Sequence, residues 1–325
     1  MLFFIAMPIV SVTVQSMFTP HEAVFLTVET CTPFKCTEET TIDQEATAAL
    51  RAEQPLGRFV GLDIYLDRGH LAISEVGEAW TSSQNWTEFL ASLSNLPFYR
   101  AMSFTLVFIF TVTPMVIVLG LLIALAVNSI YARLRGVVIF FSLLPFVITP
   151  LIGALVLYWM IDSRGILGNL LQWMAGDPSL SLKASTGLMW VSLIVYGIWH
   201  AAPFAFVIFY AGLQTLPQDQ MEAAQIDGAS RLQRVRYVIL PHLMPLVMFV
   251  TLIQLMDNFR VFEPIIGFNA EAHATSLSWA IFNDLGGETR QFSSAAATSV
   301  ITIIGVAILL TPVLIRTWRD FRRKV

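Results

Sequence analysis

The groups in this 325-residue chain that could do chemistry are few and set apart. Residues 221–245 read MEAAQIDGASRLQRVRYVILPHLMP, with two acids and three arginines lodged between long apolar stretches. A second polar run, QLMDNFRVFEP at 254–264, puts Gln254, Asp257, Asn258 and Val261 at spacings of three and four, which is one face of a helix. Amides and carboxylates so placed suit a hydroxyl-rich ligand, because every hydroxyl taken from water needs a paired hydrogen bond. Asp257 serves there either as a ligand group or as the ion-pair partner of Arg260, three residues on.

Other chemistries find no support. The three lysines, Lys35, Lys183 and Lys324, follow Phe34, Leu182 and Arg323, so no GxxxxGK[ST] phosphate loop exists and any nucleotide energy must come from a partner. The five histidines are scattered without an HExxH pattern, which argues against a metal site or a hydrolytic triad. His200 reads as a helix-packing residue. Cys31 and Cys36, in CTPFKC, form a disulfide in an oxidising compartment or stay as two free thiols, and two cysteines are too few for a zinc site. The NWT at Asn85 is a short and weak match to a glycosylation acceptor. No cofactor is expected in the chain, and no nucleic acid partner.

The elements that carry these residues are dictated by composition. The chain is 56% hydrophobic and 13% charged, against roughly 25% charged in ordinary soluble domains. About 20 apolar residues cross a bilayer core, and six runs with little or no charge qualify: 1–18, one within 101–132, 137–161, one within 184–218, 237–262 and the apolar part of 291–315. Backbone polar groups in hydrocarbon must be satisfied within the segment, so these runs predict an all-α polytopic membrane protein with six transmembrane helices. The first run lacks the basic start and small-residue cleavage site of a signal peptide, so a span is expected there.

Lys and Arg set the orientation. Segments 128–136, 214–236 and 316–325 hold two, three and five basic residues. That density predicts both termini on the cytoplasmic side of the membrane, the last ten residues forming a basic tail. Residues 19–100 then form an external segment, with twelve acids against five basic residues, and 101–320 form the core. Within the 214–236 connection, Pro217 precedes a helix-favouring run, Gly228 permits a bend, and a second helical run leads into the fifth span. A plain reading is an interfacial linker whose arginines touch lipid phosphates.

The spacing of that connection is more specific. Glu222, Ala223, Ala224, Gly228, Leu240 and Pro241 fall in register with the EAA loop of ABC importer permeases, EAA, three residues, Gly, nine residues, I-x-L-P, with Val238 in the isoleucine place. With Asp227 and Ala229 the stretch reads EAAxxDGA, and it resembles the carbohydrate-uptake group of the maltose-permease type. GLDIYL at 61–66, LRG at 134–136, LLPFVITPLI at 143–152 and WHAAPF at 199–204 resemble the same group in corresponding places.

The resemblance implies a non-catalytic permease subunit, half of a pathway for a sugar or polyol. Its partners would be a second permease subunit, two ATPase copies that hold ATP and Mg, and a periplasmic solute-binding protein. Glu222, Ala223, Ala224, Ile226, Asp227 and Gly228 would form the coupling helix that docks on the ATPase. Cargo contacts would fall at Gly197, Ala201, Phe204, Gln254, Asp257, Asn258 and Val261. Asp257 and Val261 depart from the group, replacing an aromatic and an amide. Another solute, such as a glycerol phosphate, is the alternative cargo, and an ion-driven transporter without an ATPase is the remote one.

Overall fold

The computed structural model describes residues 2–19, 24–32, 35–54, 57–286 and 291–322. The chain divides into two compact units, 1–100 with 280–304, and 101–279 with 305–325.

The first unit opens with α1 (Leu2–Gln15), whose 14 residues fall short of the roughly 20 that cross a bilayer. Two short strands, β1 (Phe18–Thr19) and β4 (Arg58–Phe59), pair antiparallel. Between them β2 (Phe25–Thr32) and β3 (Lys35–Ile42) form a hairpin, a departure from an all-α chain. Thr recurs along both strands, with Val28 in the first and Ile42 at the end of the second, and these β-branched residues favour a pleated ribbon. Cys31 and Cys36 stand opposite each other in its register; the expected disulfide rests on side chains outside the described residues. Asp43 then caps α2 (Gln44–Glu53), accepting from the Ala46 N–H at 3.0 Å. Short helices α3 (Asp63–Leu66), α4 (Ile73–Ser82) and α5 (Trp86–Ser94) complete the segment. Buried His70 bonds the Ser294 carbonyl at 3.1 Å, and Ser16 and Tyr65 share a hydroxyl pair at 2.5 Å.

The second unit is helical. It contains most of α6 (Pro97–Ser129), then α7 (Ala132–Val147), α8 (Pro150–Met160), α9 (Ile166–Ala175), α10 (Thr186–Gln214), α11 (Gln218–Ile226), α12 (Arg231–Arg234), α13 (Leu240–Phe259) and α14 (Glu263–Gly267). Helices α15 (Leu277–Gly286) and α16 (Phe292–Arg322) follow. Phe104, Phe108, Val112 and Val116 of α6 are buried against Tyr196, Phe206 and Phe209 of α10, in one apolar cluster. Phe110, Val118 and Leu122 of α6 are exposed instead, as expected of a face that meets lipid.

Among the described residues four helices are long and apolar enough to span a membrane: 97–129, 186–214, 231–259 and 292–319. The expected third span, 137–161, is not one helix. It is α7 and α8, bent by 95° at a break. Pro150 stands at the start of α8, and proline excludes the preceding residue from the helical region. Thr149 (φ −61°, ψ 142°) and Ile148 (φ −74°, ψ 131°) are accordingly extended. Such a break frees carbonyls that have no water to bond at membrane depth. α10 supplies a partner for the Ile148 carbonyl and a second bond to the carbonyl of Pro150, the first residue of α8. The Tyr196 hydroxyl donates to the Pro150 carbonyl at 2.6 Å, and His200 Nε2 lies 3.1 Å from the Ile148 carbonyl, one helical turn further on.

Beyond α8, Lys183 folds back over the connection. Its ammonium bonds Asp162 at 2.8 Å and sits 3.4 Å from the centroid of the Tyr158 ring. The bond from Lys183, with one from the Arg164 backbone N–H, holds the Asp162 carboxyl below its ordinary value of 3.8.

Two outcomes follow for the protein in detergent. Tyr196→Phe removes the side-chain bond between α10 and the Pro150 carbonyl and should cost about 0.5–1.5 kcal/mol in an unfolding titration. Asp162 is the depressed-carboxylate case, so its stabilising effect is present above pH 3.8 and disappears as pH falls through the lower folded value. Asp162→Asn should lower Tm at neutral pH, and the difference from the parent should shrink as pH falls below 3.8.

Candidate functional site

The 214–241 connection is built from local rules. Pro217 leads into α11, whose first turn carries Asp219, as the helix dipole favours. The helix ends in a Schellman turn: the Ala229 N–H donates to the Ala224 carbonyl and the Gly228 N–H to the Gln225 carbonyl, both at 3.0 Å. Gly228 has φ +74°, the left-handed region that only glycine enters without cost. Ser230 and Gln233 then form a reciprocal capping box that starts α12. A π-helical turn, Val235–Ile239, joins α12 to α13. Pro241 has no N–H for the carbonyl four residues back, and the wider turn lies immediately before it.

The connection is fixed on one side and bare on the other. Leu216, Met221 and Val235 pack on the buried cluster. The Gln214 amide bonds Asn128 at 3.2 Å, and Thr215 pairs with His242 at 3.2 Å. On the bare side Ile226 is 86% exposed and Leu232 77%, and Glu222, Ala223, Asp227 and Gly228 are exposed with them, while Ala224 is half-buried. Neither Glu222 nor Asp227 has an ion-pair partner among the described residues. An apolar knob between two unpaired carboxylates, on a helix held rigid from behind, is a surface shaped to receive another protein.

The second polar run is less uniform than its spacing predicts. α13 ends at Phe259, so Val261 lies beyond it and does not extend the helical face. Gln254, Asn258 and Val261 are buried, whereas Asp257 is exposed and paired with Arg260 at 2.7 Å. Of the two readings of Asp257, the ion pair is the one formed. The Asn258 amide donates to the Thr113 hydroxyl oxygen of α6 at 3.0 Å and contacts Gln254 Oε1 at 3.5 Å. Thr113 is a residue that spacing along α13 could not find. On α10, a Cβ added to Gly197 would come within 2.7 Å of the Phe108 ring, so that position serves close packing against α6. Ala201 is half-buried on the core, and Phe204 stacks on Phe146 with centroids 6.1 Å apart.

Known proteins share both the sequence and the fold. Residues 89–319 match the family described as binding-protein-dependent transport system inner membrane component. The chain belongs to that family. The probable ABC transporter permease protein y4oQ of Sinorhizobium fredii is 31% identical over 245 residues, covering 73% of this chain and 75% of the relative. The trehalose/maltose transport system permease protein MalF of Thermococcus litoralis is 29% identical over 240 residues, covering 72% and 79%. Among solved structures, a bacterial ABC transporter involved in the import of the acidic polysaccharide alginate superposes with a TM-score of 0.61, over 85% of this chain and 97% of that one. At 24% identity that likeness speaks for the fold alone.

For this permease the Schellman turn gives a simple expectation. No atom lies within 4 Å of a Cβ placed on Gly228, so Gly228→Ala meets only the left-handed backbone penalty. It should cost about 1 kcal/mol, and Gly228→Asn less, in a denaturant titration followed by circular dichroism.

Proposed function

We propose that this permease forms half of the translocation pathway of an ATP-driven importer for a neutral sugar or polyol. The observation that carries the reading is the exposed α11 ledge, with Glu222 and Ile226 free and the turn behind them locked. Glu222, Ala223, Ala224, Ile226, Asp227 and Gly228 make the coupling surface for one of two ATPase copies. ATP and Mg reside on those partners, and this chain carries out no covalent step. A second homologous permease subunit completes the pathway, and a solute-binding protein delivers the cargo from outside.

Six spans, α1 among them, place both termini in the cytoplasm of a bacterial inner membrane. Residues 19–100 then face outward and 214–236 inward, in keeping with the basic residues of the inner segments. The trehalose/maltose relative favours a sugar. The buried amides of Gln254 and Asn258 are suited to hydroxyl groups, and Gly197, Ala201, Phe204, Asp257 and Val261 are the remaining positions tied to cargo by resemblance. ATP closure of the two ATPases would draw both coupling helices together, and the packed helices would carry that movement outward.

The test is reconstitution in proteoliposomes with the ATPase, the second subunit and the binding protein. The wild type should take up a neutral sugar only with ATP, and Glu222→Arg should lower uptake and stimulated ATP hydrolysis at least about tenfold while leaving membrane insertion intact. Uptake that persists without ATP under an ion gradient would defeat the ABC reading. Unaltered transport in Glu222→Arg would defeat the coupling role.

A further inference from the structure

Thr113 lies on α6, outside every position that resemblance to sugar permeases marks. It is 4% exposed, as is Gln254, and Asn258 is 8% exposed, so three polar side chains meet inside an apolar bundle. The Asn258 amide nitrogen reaches Thr113 Oγ1 at 3.0 Å and Gln254 Oε1 at 3.5 Å. With that nitrogen engaged twice, the carboxamide plane is fixed. Two groups stay unused among the described residues, Asn258 Oδ1, which accepts, and Gln254 Nε2, which donates. A sugar hydroxyl does both at once. A phosphate oxygen only accepts, and would be repelled by Asn258 Oδ1.

We propose that Thr113 is a positioning residue that orients the Asn258 amide, so that an acceptor and a neighbouring donor are presented together to a neutral polyhydroxy cargo. This rests on the reading of Gln254 and Asn258 as cargo-contacting. Thr113 supplies the one contact to this amide from another helix; without it, the amide is free to turn over and exchange donor for acceptor.

The experiment uses the complete transporter in lipid nanodiscs without its binding protein, with direct binding of maltose, trehalose and sn-glycerol 3-phosphate followed by saturation-transfer NMR. Thr113→Val keeps the shape and removes the oxygen. It should weaken both sugars about tenfold and narrow their advantage over the phosphate ester. Thr113→Ser should restore sugar affinity. In an Asn258→Ala background, Thr113→Val should add nothing further. The inference is overturned if Thr113→Val binds sugar like the parent, if Thr113→Ser is no better than Thr113→Val, or if the loss persists in full without Asn258. A wild type that prefers sn-glycerol 3-phosphate overturns the neutral-cargo reading and the donor–acceptor pairing with it. A sugar-binding wild type that is indifferent to Thr113→Val overturns this inference alone.

Discussion

A backbone carbonyl in hydrocarbon has no water to bond, and the second unit depends on how that demand is met at residues 148–150. Proline ends the helical run there and the chain turns by 95°. The freed Ile148 carbonyl falls to His200, and Tyr196, one turn away on α10, adds a side-chain bond to the Pro150 carbonyl at the start of α8. That pairing fixes the rotation of α10 about its axis. Once Tyr196 and His200 face the break, Gly197 comes against Phe108 of α6, and Phe204 comes against Phe146 of α7. The positions tied to cargo on α10 are thus set by a hydrogen-bonding debt elsewhere in the membrane region. Tyr196 is 2% exposed, so water does not compete for its bond.

How far sequence reaches is decided by how local each cause is. The ledge was legible because its determinants lie within a few residues of one another: Pro217, Gly228, Ser230 with Gln233, and Pro241 each act on the adjacent backbone. The apolar spans were legible for the same reason, since composition over about 20 residues is a local quantity. The break was not. Proline also stands inside helices at 114, 203, 245 and 312, and those helices run on. What distinguishes residue 150 is a pair of donors 46 and 52 residues away in the chain, which no window around the proline contains. The hairpin at 25–42 carries no apolar period, and its signal is only a recurrence of Thr along both strands.

The candidate cargo residues show the same division. Helical spacing grouped Gln254, Asp257, Asn258 and Val261, yet the end of α13 at Phe259 removes Val261 from that face, and the ion pair with Arg260 holds Asp257 at the surface. Gln254 and Asn258 stay together because they are four residues apart within the helix, and Thr113 joins them across 145 residues of sequence. A polar residue just before Pro114, inside an apolar run, was the available hint.

The buried amides lie at the far end of the helical run that leads away from the ledge. α13 has 20 residues and is roughly 30 Å long. It begins where the π turn receives α12 and ends one residue past Asn258. Continuous helical hydrogen bonding resists bending far more than side-chain contacts resist sliding, so a displacement at the ledge reaches the amides as translation or rotation of the whole helix, with little lost to internal deformation. The π turn sits where that displacement enters. Its wider ring of hydrogen bonds places the one irregular segment of the 231–259 helix next to the ledge and leaves the segment beside the amides regular. Under the proposed coupling role, a partner pushing on Ile226 and Glu222 would move Gln254 and Asn258 relative to Thr113, because Thr113 is carried by a different helix.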